Sequence, residues 1–515
     1  MAAGVAVVGH LRTASSETPV PVDYTAAVLT DHLPVSLNPL VDAEDPAVEA
    51  LTPLLYRCLL KLDSSSYPVP DLASQLSIDP AGLTYTLELQ SGLRWSDGSP
   101  ITLEDALATI QWVQSSTFPD ASLAAPWHSV QASVDAGSLV LSLTSPRASL
   151  TTTLTDLPIL PLGSMTPAEI AGLAGRAPSP LPTSGPYQVA GQHNAVITLT
   201  ANPHASASPR LGRVEVEAMS SFATAAQAFA RGSLSAVLAT TPAEQTQLTS
   251  VHGATARDAL TFGFVDLLFN EQTPGLNDTA VRHAIAGAID RRAIVSGPIG
   301  GLGTPQYGPF PAGLLWLQNQ QPALPADPTA AAGDLADAGW VSSPYGARIK
   351  GGVSLTFTLS VPDAAPLPAV AQMVAAQLVN VGIAVSVSVV PSTTYLADVL
   401  EPGKFQLALA SWDQGADPDL TDFWASTSVP PDGYNVSGGS ADPFLDQDLA
   451  LLATETGQAQ REAAAAQVVA ALNQDMPAVF LYAPEEGLVV NSRSLTNVVV
   501  PAAGSPFADA AVWRS

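Results

Sequence analysis

An α/β fold with at least two lobes is what this sequence predicts, and three observations predict it. Val353, Leu355, Phe357, Leu359 and Val361 alternate as in a half-buried strand, Ala369–Val379 repeats at helical spacing and stops at Gly382, and Ile383–Val389 alternates again. Strand, helix and strand in such a short stretch make a βαβ unit, whose strands must be parallel. The apolar run Phe262–Phe269 reads as a second strand, and Asn277-Asp278 cap a helix with Val281, Ala284, Ile285, Ala288 and Ile289 on one face. A chain of 515 residues is also longer than one ordinary domain needs.

The remaining elements follow from the same periodicities. Tyr24–Leu29 reads as a strand broken by Leu37-Asn-Pro-Leu40, and Pro46–Leu62 as a helix with Ala47, Leu51, Leu54 and Leu55 as its stripe. Tyr85–Gln90 alternates strictly, Ser91-Gly92 turns it, and Asp97-Gly98 marks a second turn. Thr102 is a good N-cap for a helix carrying Leu103, Ala106, Leu107, Ile110 and Val113. Leu139–Leu143 and Val196–Thr200 are strands, with a proline-rich loop, Pro178–Pro186, between them. Phe405–Ser411 is a strand that runs into an acidic loop, Gln458–Asn473 a helix, and Ala478–Tyr482 a strand. Ligands of open α/β sheets sit beyond the carboxyl ends of strands, which directs attention to Trp412 and its successors.

Composition excludes several functions. A net charge of −27 repels phosphate backbones, so no nucleic-acid partner is expected. The acidity serves solubility or favours cationic and amine-bearing ligands. Cys58 is the single cysteine, so no intramolecular disulfide forms. No run reaches the ~20 apolar residues of a membrane span. Residues 1–24 read as a tail, either an ordinary terminus or the remnant of a secretion signal, and Thr13–Val22 as a tether. There is no Gly-x-Ser-x-Gly elbow and no His-Glu-x-x-His helix, and the seven histidines are scattered. Gly300-Gly-Leu-Gly303 precedes Pro305 and reads as a loop rather than a phosphate cradle, and the aspartates at 413, 417, 419 and 422 lack calcium-loop spacing. An enzyme, a metal site or a cofactor is therefore not expected.

Ordered landmarks then become visible: Ser36-Leu-Asn-Pro39, Leu55-Tyr-Arg-Cys-Leu-Leu60, Pro70-Asp-Leu-Ala73, Gly92-Leu-Arg-Trp-Ser-Asp-Gly98 with Thr102-Leu-Glu-Asp-Ala106, and Thr183-Ser-Gly-Pro-Tyr187. Leu268-Phe-Asn270, Asn277-Asp-Thr-Ala-Val-Arg-His-Ala284, Ile289-Asp-Arg-Arg-Ala-Ile294, Trp412 with Asp417-Pro-Asp419, and Asp475-Met-Pro-Ala-Val-Phe-Leu-Tyr482 complete the series. In this order they resemble the family 5 extracytoplasmic solute-binding proteins, the dipeptide, oligopeptide and nickel binders of ABC importers. The resemblance implies a two-lobed clamp of the periplasmic-binding type II kind. The first lobe would span 25–262 with a subdomain inserted at about 64–182, the second 263–483, and 484–515 would return to the first. The crossings would lie near Phe262–Asn270 and Phe480–Pro484, and the clamp would close on its ligand by hinge rotation.

The same resemblance implies a peptide or other small solute as ligand, permease subunits as partners, a monomeric state and an extracytoplasmic location. Peptide binders of the family hold the ligand's amino terminus with an aspartate three residues after the loop tryptophan. Here Gly415 stands at that place, and Asp417-Pro418 begins one residue early. Asp413 is the nearest substitute; Asp417 and Asp419 suit the cap of the following helix. Trp412 would pack on the ligand, Tyr482 would line the second crossing, Asn270 would fix hinge backbone, and Asn38 would shape the loop entering the cleft. A binding fold used as an envelope regulator or scaffold is the alternative, and a hydrolase a weaker one.

Overall fold

The computed structural model describes residues 24–29, 36–41, 43, 45–175, 181–344, 346–438 and 442–514. Of the tail and tether expected over residues 1–24, residues 1–23 lie outside this set, and Tyr24 begins a strand. Twelve strands form one sheet. In spatial order it runs Ala384–Val390, Thr356–Pro362, Leu407–Asp413, Gly263–Phe269, Ala478–Asn491, Ala236–Ala239, Tyr24–Leu29, Arg213–Met219, Val196–Ala201 and Tyr187–His193. Ala254–Leu260 and Gly303–Pro305 also pair with Ala478–Asn491. A separate four-stranded antiparallel sheet is built from Ala73–Ile78, Thr84–Leu89, Ser138–Leu143 and Val130–Asp135.

The βαβ unit forms as its periodicity requires. Thr356–Pro362 and Ala384–Val390 pair in parallel, and the helix Leu367–Val379 buries Val370, Val374 and Leu378 against them. Gly382, at φ +83°, takes the left-handed conformation that turns the chain into the second strand. The helix Leu103–Val113 starts in a full capping box between Thr102 and Asp105. Asp105 also accepts a hydrogen bond from Trp95 Nε1 at 3.3 Å, which places that buried indole in the core.

Two readings are corrected. The helix expected over Pro46–Leu62 ends at Leu55: Tyr56 is extended, and Leu60–Leu62 is a strand paired with Pro68–Pro70. Leu59 and Leu60 are both about 1% exposed, so this leucine run is buried on all sides and carries no helical stripe to distinguish it from a strand. The strand expected at Ala478–Tyr482 continues to Asn491. Its residues up to Pro484 pair with Gly263–Phe269 and Gly303–Pro305, and those beyond pair with Ala254–Leu260 and Ala236–Ala239.

This strand also joins the cores. Val479, Leu481 and Tyr482 belong to one apolar cluster and Ala478 and Phe480 to another, both drawn from residues 264–482. Leu488 and Val490 belong to the large cluster built from residues 26–236 and the C-terminal segment through Trp513. Val489 serves a fourth, small cluster. Outside the sheet, the regions touch at a few points: Ala148 N donates to Ala453 O at 2.8 Å, Trp316 N to Ser65 O at 3.0 Å, and the Tyr67 and Trp316 rings meet edge-on at 5.3 Å.

Candidate functional site

Trp412 is the penultimate residue of the strand Leu407–Asp413 and is half buried. Its Nε1 donates to Asp266 Oδ1 at 3.2 Å, and its ring meets Phe423 edge-on at 5.4 Å and Tyr434 at 5.5 Å. Phe423 continues the cluster inward to Phe264, whereas Tyr434 is 44% exposed. The result is an aromatic wall fixed at its base and open at one edge, a surface suited to apolar groups and amide planes. Phe423 and Tyr434 were not singled out in the sequence, where only their aromatic character near Trp412 could have signalled them.

The loop after Trp412 is tight. Asp413 is exposed and accepts Gly415 N at 3.1 Å. Gly415 adopts φ +74°, a conformation that an aspartate at this place would hold only under strain. Asp417 is fully occupied: Oδ1 accepts Asp419 N at 2.9 Å and Arg461 Nη2 at 2.8 Å, and Oδ2 accepts Thr152 Oγ1 at 2.8 Å and Arg461 Nη1 at 3.3 Å. Asp419 accepts Thr421 N and Oγ1 at the start of the short helix Thr421–Trp424.

Three carboxylates from separate segments converge beside this loop. Burial raises the pKa of Glu486, and Glu49 and Asp413 raise it further. Burial and then Asp413 do the same to Glu49. Glu49 lies on the helix Pro46–Leu55 and Glu486 on the crossing strand. Glu49 and Asp156 keep exposed area while the surrounding protein desolvates their carboxyls. Burial, opposed by the Thr155 hydrogen bond and reinforced by Asp417, pushes Asp156 up to about 6. Neither Glu49 nor Glu486 carries a local signal in the sequence, because only the fold brings them near Asp413. Among the described residues, no cluster of three or more His, Cys, Asp or Glu is placed to hold a metal ion.

The other expected residues sit deeper. Asn38 is 3% exposed; Oδ1 accepts Leu40 N at 3.0 Å, while Nδ2 has no partner. Asn270 Nδ2 donates to Gly403 O at 3.1 Å and Phe405 O at 2.9 Å, and Oδ1 accepts Gln272 N, so its polar atoms serve backbone. Tyr482 is 3% exposed and packs in the core, where burial raises its pKa. The structure thus gathers Trp412 and Asp413 at one exposed place and leaves Asn38, Asn270 and Tyr482 among buried neighbours.

The fold has known counterparts. A substrate-binding protein of an ABC transporter from Sinorhizobium meliloti superposes with a TM-score of 0.80 at 22% identity, covering 95% of this chain and 99% of its own. The oligopeptide-binding protein AppA of Bacillus subtilis, solved with a nonapeptide, gives a TM-score of 0.63 at 21% identity over 96% and 98%. In sequence, a protein of Brucella ovis named as a putative ABC transporter peptide-binding protein is 29% identical over 465 residues, 85% of this chain and 83% of that one. Residues 67–434 match the description of the bacterial extracellular solute-binding proteins, family 5. That span covers most of the chain, including the strand Gly263–Phe269 and the loop after Trp412, and the chain belongs to this family.

Proposed function

We propose that this protein captures peptides outside the cytoplasm by closing two lobes over them, and delivers them to the permease subunits of an ABC importer. It acts as a monomer and carries out no catalysis. Its lobes comprise 25–262 with 484–515, and 263–483, with the subdomain inserted at about 64–182. The observation that carries the reading is the aromatic wall of Trp412, Phe423 and Tyr434 at the end of the strand that leads into the acidic loop; Asp413, which raises the pKa of both Glu49 and Glu486, adds negative potential near that loop. Glu49 and Glu486, raised by burial and by acidic neighbours, gain from a ligand's ammonium group, since it relieves both repulsion and desolvation. The aromatic wall meets the adjoining amide planes, and backbone pairing explains tolerance of varied side chains. The names of relatives in Brucella ovis and Bacillus subtilis point the same way.

Calorimetry against a peptide library tests this. Saturable binding is expected, with stabilisation of about 2.7 kcal/mol at a hundredfold excess over Kd. Asp413→Ala weakens free-amine peptides more than their N-acetylated forms. Equal losses for the two would remove Asp413 from amine recognition. The shortened acidic loop favours a second reading, a clamp serving as an envelope regulator, which expects no response to any peptide.

A further inference from the structure

Asp266 lies in the middle of the strand Gly263–Phe269, every residue of which is buried. It is 1% exposed. Its neighbours across the sheet are Ala410 and Phe480, and its own face of the strand carries Phe264 and Leu268. These present no charge. The titratable group facing it is Tyr395, whose hydroxyl donates to Ser360 O at 2.9 Å. No cation among the described residues pairs with it. Oδ1 accepts Trp412 Nε1, and Oδ2 has no partner.

An ionised carboxylate in such a place would cost several kcal/mol with nothing to offset it. The neutral acid costs far less and still offers an acceptor oxygen to the indole. Burial pushes the carboxyl up to about 8, against the lowering effect of the Trp412 hydrogen bond. A leucine would suit the apolar surroundings better, so the polar group asks for a reason beyond stability. Trp412 supplies it: the indole N–H points into the core and needs an acceptor there, and without one its ring could rotate away from the Phe423–Tyr434 wall.

We propose that Asp266 is the positioning residue for Trp412, holding the indole across the ligand surface as a neutral carboxylic acid. The proposal rests on the reading of Trp412 as a ligand-facing ring. Ionisation of Asp266 keeps the acceptor and places a full charge at the indole N–H, so it changes the ring's surroundings without removing the hold.

The test has a ligand-free arm and a binding arm. The emission of Trp412, isolated as wild type minus Trp412→Phe, is followed from pH 5 to 9.5 in wild type, Asp266→Asn and Asp266→Leu. Wild type shifts with a midpoint near 8, Asp266→Asn shows no transition, and Asp266→Leu is displaced at every pH. A transition retained in Asp266→Asn, or emission unchanged in Asp266→Leu, overturns the proposal. In the binding arm, an equimolar pool of free-amine tripeptides is titrated at pH 6.5. Asp266→Leu loses about tenfold in affinity, as expected for one buried hydrogen bond, without losing thermal stability, and Asp266→Asn restores wild-type binding. A loss that tracks a lower melting temperature marks a merely structural role and overturns the proposal. If the spectra behave as expected but Trp412→Ala leaves peptide affinity unchanged, the ligand-facing reading of Trp412 falls instead.

Discussion

Replacing Asp417 with alanine separates a structural carboxylate from a ligand-binding one. Arg461 is 3% exposed, and Asp417 takes both of its terminal nitrogens, at 2.8 and 3.3 Å. The guanidinium also lies 6.0 Å from the Trp316 ring centroid, and its Nε donates to Leu452 O. Those contacts cannot replace a counter-charge. Asp417→Ala therefore leaves a buried cation unpaired, which costs about 3–5 kcal/mol. Thr152→Val removes a single hydrogen bond, worth about 1 kcal/mol. That bond joins two regions with separate cores, so its loss acts on the proposed closure more than on folding and lowers the closed-to-open equilibrium constant about fivefold. Urea unfolding followed by tryptophan emission measures the first effect, and the radius of gyration in solution measures the second. In the Asp417→Ala background, Thr152→Val should add nothing, because its acceptor is gone. If Asp417→Ala unfolds within about 0.5 kcal/mol of wild type, or the two changes are additive, the network is not what the geometry indicates.

Three further outcomes follow. Asp266 has a folded pKa of about 8, above the unfolded value near 4. Its contribution is therefore fully present below about 4 and is lost as pH rises to about 8, by on the order of 5 kcal/mol in all. Thermal melts of Asp266→Asn should fall less than wild type across that window. Glu486 is likewise raised by burial and then by its acidic neighbours. Glu486→Gln should melt higher than wild type at neutral pH yet bind free-amine peptides more weakly; lower melting would remove the cluster's repulsion from the account. At Gly185 an added Cβ would meet Leu54 O at 2.6 Å. Gly185→Ala should cost about 1–3 kcal/mol by forcing the Ser184–Pro186 loop off the helix end, read from the urea midpoint.

The elements most legible in the sequence were those buried on one face. Leu367–Val379 and its flanking strands show clean periods because solvent takes the other side. Leu59 and Leu60 face core on all sides, so a helix and a strand looked alike there. The far half of Ala478–Asn491 was hidden by Glu485, Glu486 and Gly487, polar or small residues that interrupt the apolar run at the crossing. In the site, Trp412 and Asp413 were found through motif order. Glu49, Glu486 and Asp156 come from distant segments with no shared local pattern. Asp266 was readable in principle: it is the single charged residue in Phe262–Phe269. A rule broken inside an otherwise consistent strand is the kind of signal that marks a working residue.

The strand Ala478–Asn491 is hydrogen-bonded on both sides of the crossing, and the other leg of the crossing is stitched to it. Thr261 N and Oγ1 both donate to Pro484 O, at 3.3 and 2.9 Å. Under the proposed closure, bending would concentrate at this fastened crossing. The strand would then behave as a torsion bar: opening would wind it, and its ladder of hydrogen bonds would supply a restoring torque to both proposed lobes at once. Thr261→Val would soften that bar without cutting it, giving a clamp that visits more angles and releases its cargo sooner.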